Sequence, residues 1–146
     1  NYRMSDLQAA LGLSQLERLD ALVAERNSQL AHYQRLLMGL PVHLLEIPAN
    51  VRSAVHLAVV RLQGITAAQH RTVFQGMRDA GIGVQLHYSP VHLQPYYRQL
   101  GGHPGQAPAA EAYGESALSL PLFPGLAAPD RERVVQTLST LIQGLG

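Results

Sequence analysis

An apolar stripe near the start of the chain constrains the fold more than any other feature. Between residues 16 and 40, side chains on this stripe recur in alternating steps of three and four, and Arg26 is its only charged member. The apolar members are Leu16, Leu19, Val23, Leu30, Tyr33, Leu37 and Leu40. This spacing places them on one face of an α-helix, which Gly39 and Pro41 are expected to end.

The helix is predicted to begin at Ser5, because Ser5 and Gln8 form the sequence pattern of a capping box. A single helix from there to residue 40 has a length of about 50 Å. A chain of 146 residues is expected to form one small domain, which cannot cover a helix of that length. We therefore expect residues 1–40 to be a long interdomain or interface helix and residues 41–146 to be a small α/β domain.

The rest of the chain alternates between predicted strands and helices. Strands are predicted over 53–62, 82–87 and 118–122, and helices over 66–80, 108–117 and 129–143. Prolines and glycines make 88–105 mainly a loop, with a helical turn predicted over 96–100. The predicted fold class is α/β (α+β): a long N-terminal helix and a three- to four-stranded, mainly antiparallel sheet with helices on one face.

The composition excludes several classes of function. The sequence is 47% hydrophobic and 14% charged, which is typical of a chain with a buried core rather than a disordered one. A net charge of +1 does not favour nucleic acid or an anionic membrane as a partner. The absence of cysteine excludes disulfides and a thiol nucleophile. The sequence shows neither a signal-peptide pattern nor an apolar run that could span a bilayer, so a cytoplasmic location is expected.

All eleven basic side chains are arginine, so the chain contains no lysine. No side chain of this sequence can therefore form a Schiff base with pyridoxal phosphate or with a carbonyl substrate. Genomic base composition is the plain alternative explanation for this bias. The first residue is Asn1 rather than Met, which suggests a fragment or a processed product, with Met4 as a conceivable internal start.

The densest group of polar side chains follows the second predicted strand, where a loop stiffened by proline begins. It comprises His87, Tyr88, His92, Gln94, Tyr96 and Tyr97. Three interpretations remain open for this loop. It contacts a substrate through polar groups on rigid aromatic rings, it is an interface loop whose aromatics pack, or it holds a metal through His87, His92 and His103.

Other polar residues carry weaker signals. Arg3 is suited to bind a carboxylate or phosphate, and Asn1 to donate to an anion near the helix start, although both also fit a frayed terminus. His56 lies in an apolar segment and is expected to belong to the core, whereas His32, His43 and His70 are expected at the surface.

Three stretches, in this order along the chain, resemble the DegT/StrS family of sugar aminotransferases. They are NYRMSDLQAALG at 1–12, AGIGV at 80–84 followed by HYSPVHLQPYY at 87–97, and the block from Ala112 through LSLPLFP at 118–124. The form of the second stretch is most similar to the branch that makes 4-amino sugar nucleotides for pseudaminic acid.

This resemblance implies a fold type I, pyridoxal-phosphate-dependent enzyme that transfers an amino group from glutamate to a keto-sugar nucleotide. It implies that the chain is the C-terminal domain, that an N-terminal domain carrying the cofactor and its lysine is missing, and that the enzyme is a homodimer. The cofactor is then expected in the parent enzyme and not on this chain alone. No catalytic residue and no metal ligand is expected here.

The resemblance also implies roles for individual residues. Asn1 is expected to contact the cofactor phosphate across the dimer interface, and Arg3, His87, Tyr88 and His92 are expected to lie near the substrate. Ser89 stands where many relatives carry a larger residue. The alternative function, from a different class, is a free-standing binding or dimerisation module derived from such a domain.

Overall fold

The structure is a computed structural model and describes residues 3–145. Its regular elements follow one another as α1 (Asp6–Leu16), α2 (Leu19–Leu36), β1 (Val42–Leu44), β2 (Ala58–Leu62), α3 (Ala67–Asp79), β3 (Gln85–Leu86), α4 (Pro95–Gln99), α5 (Pro108–Gly114), β4 (Ala117–Leu120) and α6 (Ala128–Gln143). A short 3-10 turn at Val91–Leu93 precedes α4. None of the helices within residues 3–145 is both long enough and apolar enough to cross a membrane.

The four strands of the described part form one antiparallel sheet in the order β1-β2-β4-β3. The central pair is held in register by Val60 opposite Leu118, and β4 pairs on its other side with β3. Two capping boxes, at Ser5 and Thr66, start α1 and α3 as their sequences predict. The predicted α+β fold with a mainly antiparallel sheet is confirmed.

The helices α2, α3 and α6 cover one face of this sheet. Because side chains alternate along a strand, Val60 of β2 and its neighbours two residues away point to the same face. These side chains join buried side chains of the helices in one core cluster, which includes Tyr33, Val73 and Leu138. The opposite face, which carries Arg61 and Ser119, is left for the loop that follows β3.

The predicted single N-terminal helix is wrong, because it is interrupted near Arg18. Arg18 has φ −106° and ψ 0°, outside the regular helix, and its N–H donates to the carbonyl of Gln15, three residues back. Neither Glu17 nor Arg18 is a helix breaker, so the sequence gives no signal for this point. None of the side chains of α1 is buried. No packing therefore holds α1 in one continuous helix with α2 across Arg18.

Strand limits also differ from prediction. The strand expected over 53–62 begins only at Ala58, and β3 covers only Gln85–Leu86. Pairing explains the first limit, because β4 meets β2 only from Ala58 onward. The three-residue β1 has too little periodic pattern to be predicted, and Pro41 stands directly before it.

A row of polar side chains on α2 fixes the turn that follows β4. Residues four apart on a helix lie on the same face, and three of them bond to backbone atoms of 121–125. The bonds join Tyr33 Oη to the Pro121 carbonyl at 3.0 Å, Gln29 Nε2 to the Phe123 carbonyl at 3.0 Å, and the Gly125 N–H to Glu25 Oε1 at 2.6 Å. Burial raises the pKa of the Tyr33 phenol well above its ordinary value. The phenol therefore remains a neutral donor in this row.

Candidate functional site

His87 leaves the end of β3 and is held on the face of the sheet that the helices do not cover. Its Nδ1 lies 3.1 Å from the hydroxyl oxygen of Ser119 in β4. The imidazole ring lies 4.3 Å from the Tyr88 ring, centroid to centroid, and meets the Tyr113 ring edge-on at 6.2 Å. The His87–Tyr88 peptide bond is cis. Two neighbouring aromatic rings and one hydroxyl therefore fix the orientation of the imidazole.

Partial burial lowers the pKa of His87, and the nearby imidazole of His56 lowers it further. His87 is therefore neutral at neutral pH. Its Nε2 has no hydrogen-bond partner among residues 3–145 and is not sealed from solvent. The ring thus presents one free nitrogen at the surface.

Tyr88 extends the same surface outward. It is 63% exposed, so much of its side chain is accessible to a ligand. The segment that follows is held by hydrogen bonds within it, because the side-chain Nε2 of Gln94 donates to the Ser89 carbonyl at 3.2 Å and the N–H of Leu93 donates to the Pro90 carbonyl at 3.0 Å. An exposed aromatic side chain on a fixed backbone is suited to stack against or hydrogen-bond a ring with hydroxyl groups.

His92 is bound to a carboxylate rather than facing open solvent. Its Nε2 lies 2.9 Å from Oε1 of Glu111 in α5, and the two side chains are only 15% and 18% exposed. The same carboxylate accepts from the N–H of Gly105, which lies 2.9 Å from both oxygens, and from the N–H of Ala107. Glu111 therefore ties the loop at 101–107 and His92 to α5.

These bonds stabilise the charged form of the carboxylate. The N–H of Gly105 makes the largest contribution and the side-chain hydrogen bond of His92 the next, so the pKa of Glu111 lies below its ordinary value. Glu111 is ionised at neutral pH and organises three groups at once.

Two glycines allow neighbouring backbone to pack closely against the segment at 88–97. A Cβ at position 102 would lie 2.2 Å from the carbonyl oxygen of His92 and 2.9 Å from that of Tyr97. A Cβ at position 114 would lie 2.6 Å from the carbonyl oxygen of Tyr88. Since backbone atoms cannot yield as a flexible side chain does, both positions require glycine in this packing.

A groove of about 250 Å³ lies beside Tyr113 on the same face of the sheet. The Arg61 guanidinium lies over the Tyr113 ring, 5.6 Å from its centroid, and Val59 forms part of the lining. Exposed Arg61 supplies positive charge next to the aromatic surface around His87. This side of the site therefore offers an apolar lining together with a cation, Arg61, and a carboxylate, Glu46.

Sequence reasoning missed four residues of this site: Arg61, Glu111, Tyr113 and Ser119. The last two lie within the block at 112–124 that resembles the aminotransferase family, which was their only sequence signal. Nothing in the sequence pairs Arg61 with Tyr113 or Glu111 with His92, because each contact joins elements distant along the chain.

The structure also relocates other predicted residues. His70 is buried rather than at the surface, with 3% exposure, and its Nε2 lies 3.1 Å from the Ala117 carbonyl. His56 is exposed and not part of the core. Arg3 is exposed as well. The prediction for Asn1 falls outside the described residues.

The histidines of the proposed metal alternative do not converge. Within residues 3–145 there is no group of three histidine, aspartate or glutamate side chains that could hold a metal ion. His87 bonds to Ser119 and His92 to Glu111, while the ring of His103 bonds to the neighbouring Pro104 carbonyl. The structure does not bring the three rings together.

The side chains of this sequence include no lysine amine, which a Schiff base with pyridoxal phosphate requires. The groups that the described residues offer around His87 are hydrogen-bonding and aromatic ones.

Solved structures of known proteins share this fold. A putative sugar aminotransferase from Streptococcus pneumoniae, Spr1654, superimposes with a TM-score of 0.94 at 29% identity in its apo form, over 98% of this chain and 36% of its own. DesV from S. venezuelae, solved with a ketimine intermediate, gives a TM-score of 0.83 at 30% identity over 94% of this chain and 36% of its own. PseC from Helicobacter pylori, an aminotransferase of pseudaminic acid biosynthesis, shares the fold with a TM-score of 0.89 at 24% identity, over 99% of this chain and 39% of its own.

The fold is thus shared with one part of these fold type I aminotransferases. The sequence model of the DegT/DnrJ/EryC1/StrS aminotransferase family matches residues 1–139, and the chain belongs to that family. The spore coat polysaccharide biosynthesis protein SpsC of Bacillus subtilis is 33% identical over 151 aligned residues, which cover 98% of this chain and 38% of SpsC. The chain therefore spans little more than a third of the length of these relatives.

Proposed function

We propose that this chain is the C-terminal, substrate-side part of a pyridoxal-phosphate-dependent aminotransferase. The enzyme transfers an amino group from glutamate to a keto-sugar nucleotide in cell-surface or secondary-metabolite sugar biosynthesis, in the cytoplasm. The observation that carries this proposal is a lysine-free chain that matches the family over residues 1–139 but spans only 38% of SpsC. A chain with these properties lacks the amine on which the family's reaction depends, so we infer that it is inactive alone.

The chain's own residues are assigned to binding and orientation of the substrate. His87 and Tyr88 provide a neutral imidazole and an exposed phenol for oxygen atoms of the sugar nucleotide. His92 acts at the base of the same loop, through its bond to Glu111. Arg3, exposed before α1, is suited to an anionic group of a substrate.

Pyridoxal phosphate supplies the electron-accepting ring when it is bound in the parent enzyme. A PLP-form structure of Spr1654 matches 99% of this chain at a TM-score of 0.94 and 28% identity, over 37% of its own length. We assign the cofactor's lysine and most of its phosphate contacts to the missing N-terminal domain. Asn1 is assigned to the phosphate across the dimer interface.

An unpartnered apolar surface on α1 supports both a missing domain and a homodimer. Leu7 is 82% exposed, and Leu11, Leu13 and Leu16 are each 63% exposed. A helix that carries large apolar side chains on several of its sides is expected to be covered by another domain or subunit. We propose that the large domain and the second subunit cover α1 in the parent enzyme.

Treating the chain with pyridoxal phosphate tests whether it can hold the cofactor alone. The N-terminus is acetylated first, so that only side chains are available, and the mixture is reduced with borohydride and weighed by mass spectrometry. We expect no added mass, whereas Spr1654, which has been solved in a PLP form, serves as the positive control. A reduced adduct on the acetylated chain contradicts the proposal.

A second experiment tests the substrate role of the loop. In the enzyme that combines this chain with its N-terminal domain, His87→Phe is expected to raise the KM for the keto-sugar nucleotide about tenfold, the equivalent of about one hydrogen bond to the ligand. The exposed His103→Phe is the matched control and leaves the KM unchanged. Equal KM values for the two variants contradict a substrate role for His87.

The exposed leucines of α1 also favour the second candidate, a free-standing binding or dimerisation module. The reading frame upstream of Asn1 separates the two. A continuous frame with a lysine-bearing domain supports the enzyme, and a natural start near Met4 supports the module.

A further inference from the structure

We propose that Ser119 is a positioning residue that fixes the tautomer of His87. Its hydroxyl donates to Nδ1, so the imidazole proton resides on Nε2 and the ring presents an N–H donor to the ligand. This inference rests on the proposed function insofar as the ligand is the enzyme's substrate. The bond between the two side chains is a property of the chain itself.

The sheet holds the Ser119 hydroxyl in place. Ser119 lies in β4 between two partner strands, opposite Val59 on one side and Gln85 on the other, and is 5% exposed. His87 follows Gln85 by two residues and stands directly after β3, which ends at Leu86 and pairs with β4. Strand pairing therefore holds the backbone immediately before His87, where Nδ1 lies 3.1 Å from Oγ of Ser119.

The hydroxyl proton decides the direction of this bond. Among residues 3–145, His87 is the hydrogen-bond partner that the structure gives to the Ser119 hydroxyl. If Nδ1 carried the proton and donated, the hydroxyl hydrogen of a nearly buried serine would have no acceptor, and it would incur its full desolvation cost. When the serine donates instead, its proton is satisfied and only Nε2–H remains, at a position that solvent or a ligand can reach.

A neutral imidazole has one donor nitrogen and one acceptor nitrogen, so its tautomer determines what it recognises. Partial burial and His56 lower the pKa of His87, which keeps the ring neutral at neutral pH. With Nδ1 occupied by Ser119, the free nitrogen is a donor. It selects an acceptor oxygen, such as a phosphate or hydroxyl oxygen of a sugar nucleotide, and disfavours an amine donor at that place.

Nitrogen NMR of histidine reports the tautomer directly. In the 146-residue chain labelled with 15N-histidine, proton–nitrogen correlations at neutral pH are expected to show His87 with the proton on Nε2. Ser119→Ala is expected to shift His87 toward a mixture of tautomers, and Ser119→Thr, which keeps the hydroxyl, to restore the original pattern. A wild-type His87 protonated on Nδ1 overturns the proposal without any variant.

Ser116→Ala is the matched control, because Ser116 is also nearly buried, at 9% exposure, and stands directly before β4, the strand that contains Ser119. Its hydroxyl bonds to the carbonyls of Ala112 and Tyr113 and not to a histidine. Its loss therefore reports any general effect of removing a buried hydroxyl. A His87 signal that moves equally in both alanine variants, or in neither, overturns the assignment to Ser119.

Kinetics of the complete enzyme separate this inference from the proposed function. If Ser119→Ala halves the competent tautomer, the KM for the sugar nucleotide rises about twofold, because apparent affinity scales with the competent fraction. In a His87→Phe background, Ser119→Ala is expected to add nothing. If the His87 tautomer depends on Ser119 but neither variant changes the KM, the positioning role of Ser119 is supported and the substrate role of His87 is contradicted. If the KM rises in His87→Phe but the tautomer does not depend on Ser119, the substrate role is supported and the positioning role is contradicted.

Discussion

The backbone of Gly114 in α5 lies directly against the carbonyl oxygen of Tyr88. A Cβ at position 114 would lie 2.6 Å from this oxygen and 3.1 Å from Cδ of Pro90. The end of α5 is therefore the support on which the loop after His87 rests. The absence of a side chain at this position allows the backbone of Tyr88 to lie close to α5.

Gly114→Ala is expected to push the Tyr88–Pro90 backbone away from α5 and to lower the free energy of unfolding by about 1–3 kcal/mol, the usual range for overpacking. Urea denaturation measures the loss. Gly12→Ala, in α1, is the control, because its Cβ meets nothing within 4 Å, and alanine favours a helix by about 0.5–1 kcal/mol over glycine. Equal effects of the two substitutions would contradict the close approach.

Glu111→Gln is expected to loosen the loop at 101–107. Both carboxylate oxygens of Glu111 accept from the Gly105 N–H, whereas a glutamine side chain has only one acceptor oxygen. The hydrogen bond of the Gly105 N–H is therefore weakened in the variant. Hydrogen exchange at the Gly105 and Ala107 amides is expected to become faster. The exposed Glu132→Gln, in α6, is the control and leaves both rates unchanged.

The lowered pKa of Glu111 also predicts a pH dependence. The folded state binds its proton less tightly than the unfolded state, so this contribution to stability is complete above the ordinary carboxyl pKa of 4.5. It is lost as the pH falls through the lower value of the folded state. Urea denaturation from neutral pH downward measures the difference in the free energy of unfolding between wild type and Glu111→Gln. This difference is expected to shrink in the same pH window. A difference that stays constant contradicts the lowered pKa.

His70 predicts a second pH dependence at a higher pH. Burial lowers its pKa below the ordinary 6.5, so its contribution to stability is present above that value and is lost as the pH falls through the folded value. His70→Gln keeps a donor for the Ala117 carbonyl but does not titrate. We expect the variant to lose less stability than wild type on acidification below 6.5. His103→Gln, which replaces an exposed histidine, is the control.

Tyr33→Phe tests the row of bonds between α2 and the turn after β4. The change removes the donor to the Pro121 carbonyl from a side chain with 0% exposure. The expected loss is about 1–3 kcal/mol, the cost of an unsatisfied buried acceptor. Tyr96→Phe removes the same hydroxyl from a residue that is 66% exposed and is expected to leave stability unchanged. Thermal unfolding compares the stability of the two variants. Equal stabilities contradict a role for the Tyr33–Pro121 bond.

The sequence predicted those features of the fold that depend on neighbouring residues. The Ser5 and Thr66 capping boxes and the apolar face of α6 are local patterns, and the structure contains all of them. The break at Arg18 and the limits of β2 depend on what packs against each segment. Such contacts have no local sequence signal.

The candidate site divides in the same way. His87, Tyr88 and His92 are close in sequence and form a recognisable motif, so they were found. Ser119 and Glu111 reach the same loop from elements 32 and 19 residues away from their partners. His70 was misplaced because a single histidine in a helix does not reveal that its ring meets the Ala117 carbonyl.

The Glu25–Gln29–Tyr33 row has a consequence for how the chain is made. Its bonds join residues 100, 94 and 88 positions apart, and Tyr33 shares its core with Leu138 of the last helix. A nascent chain on the ribosome therefore cannot close this core until α6 has left the exit tunnel. Until then the apolar stripe of α2 lacks its final cover, so residues synthesised much later than α2 complete its packing.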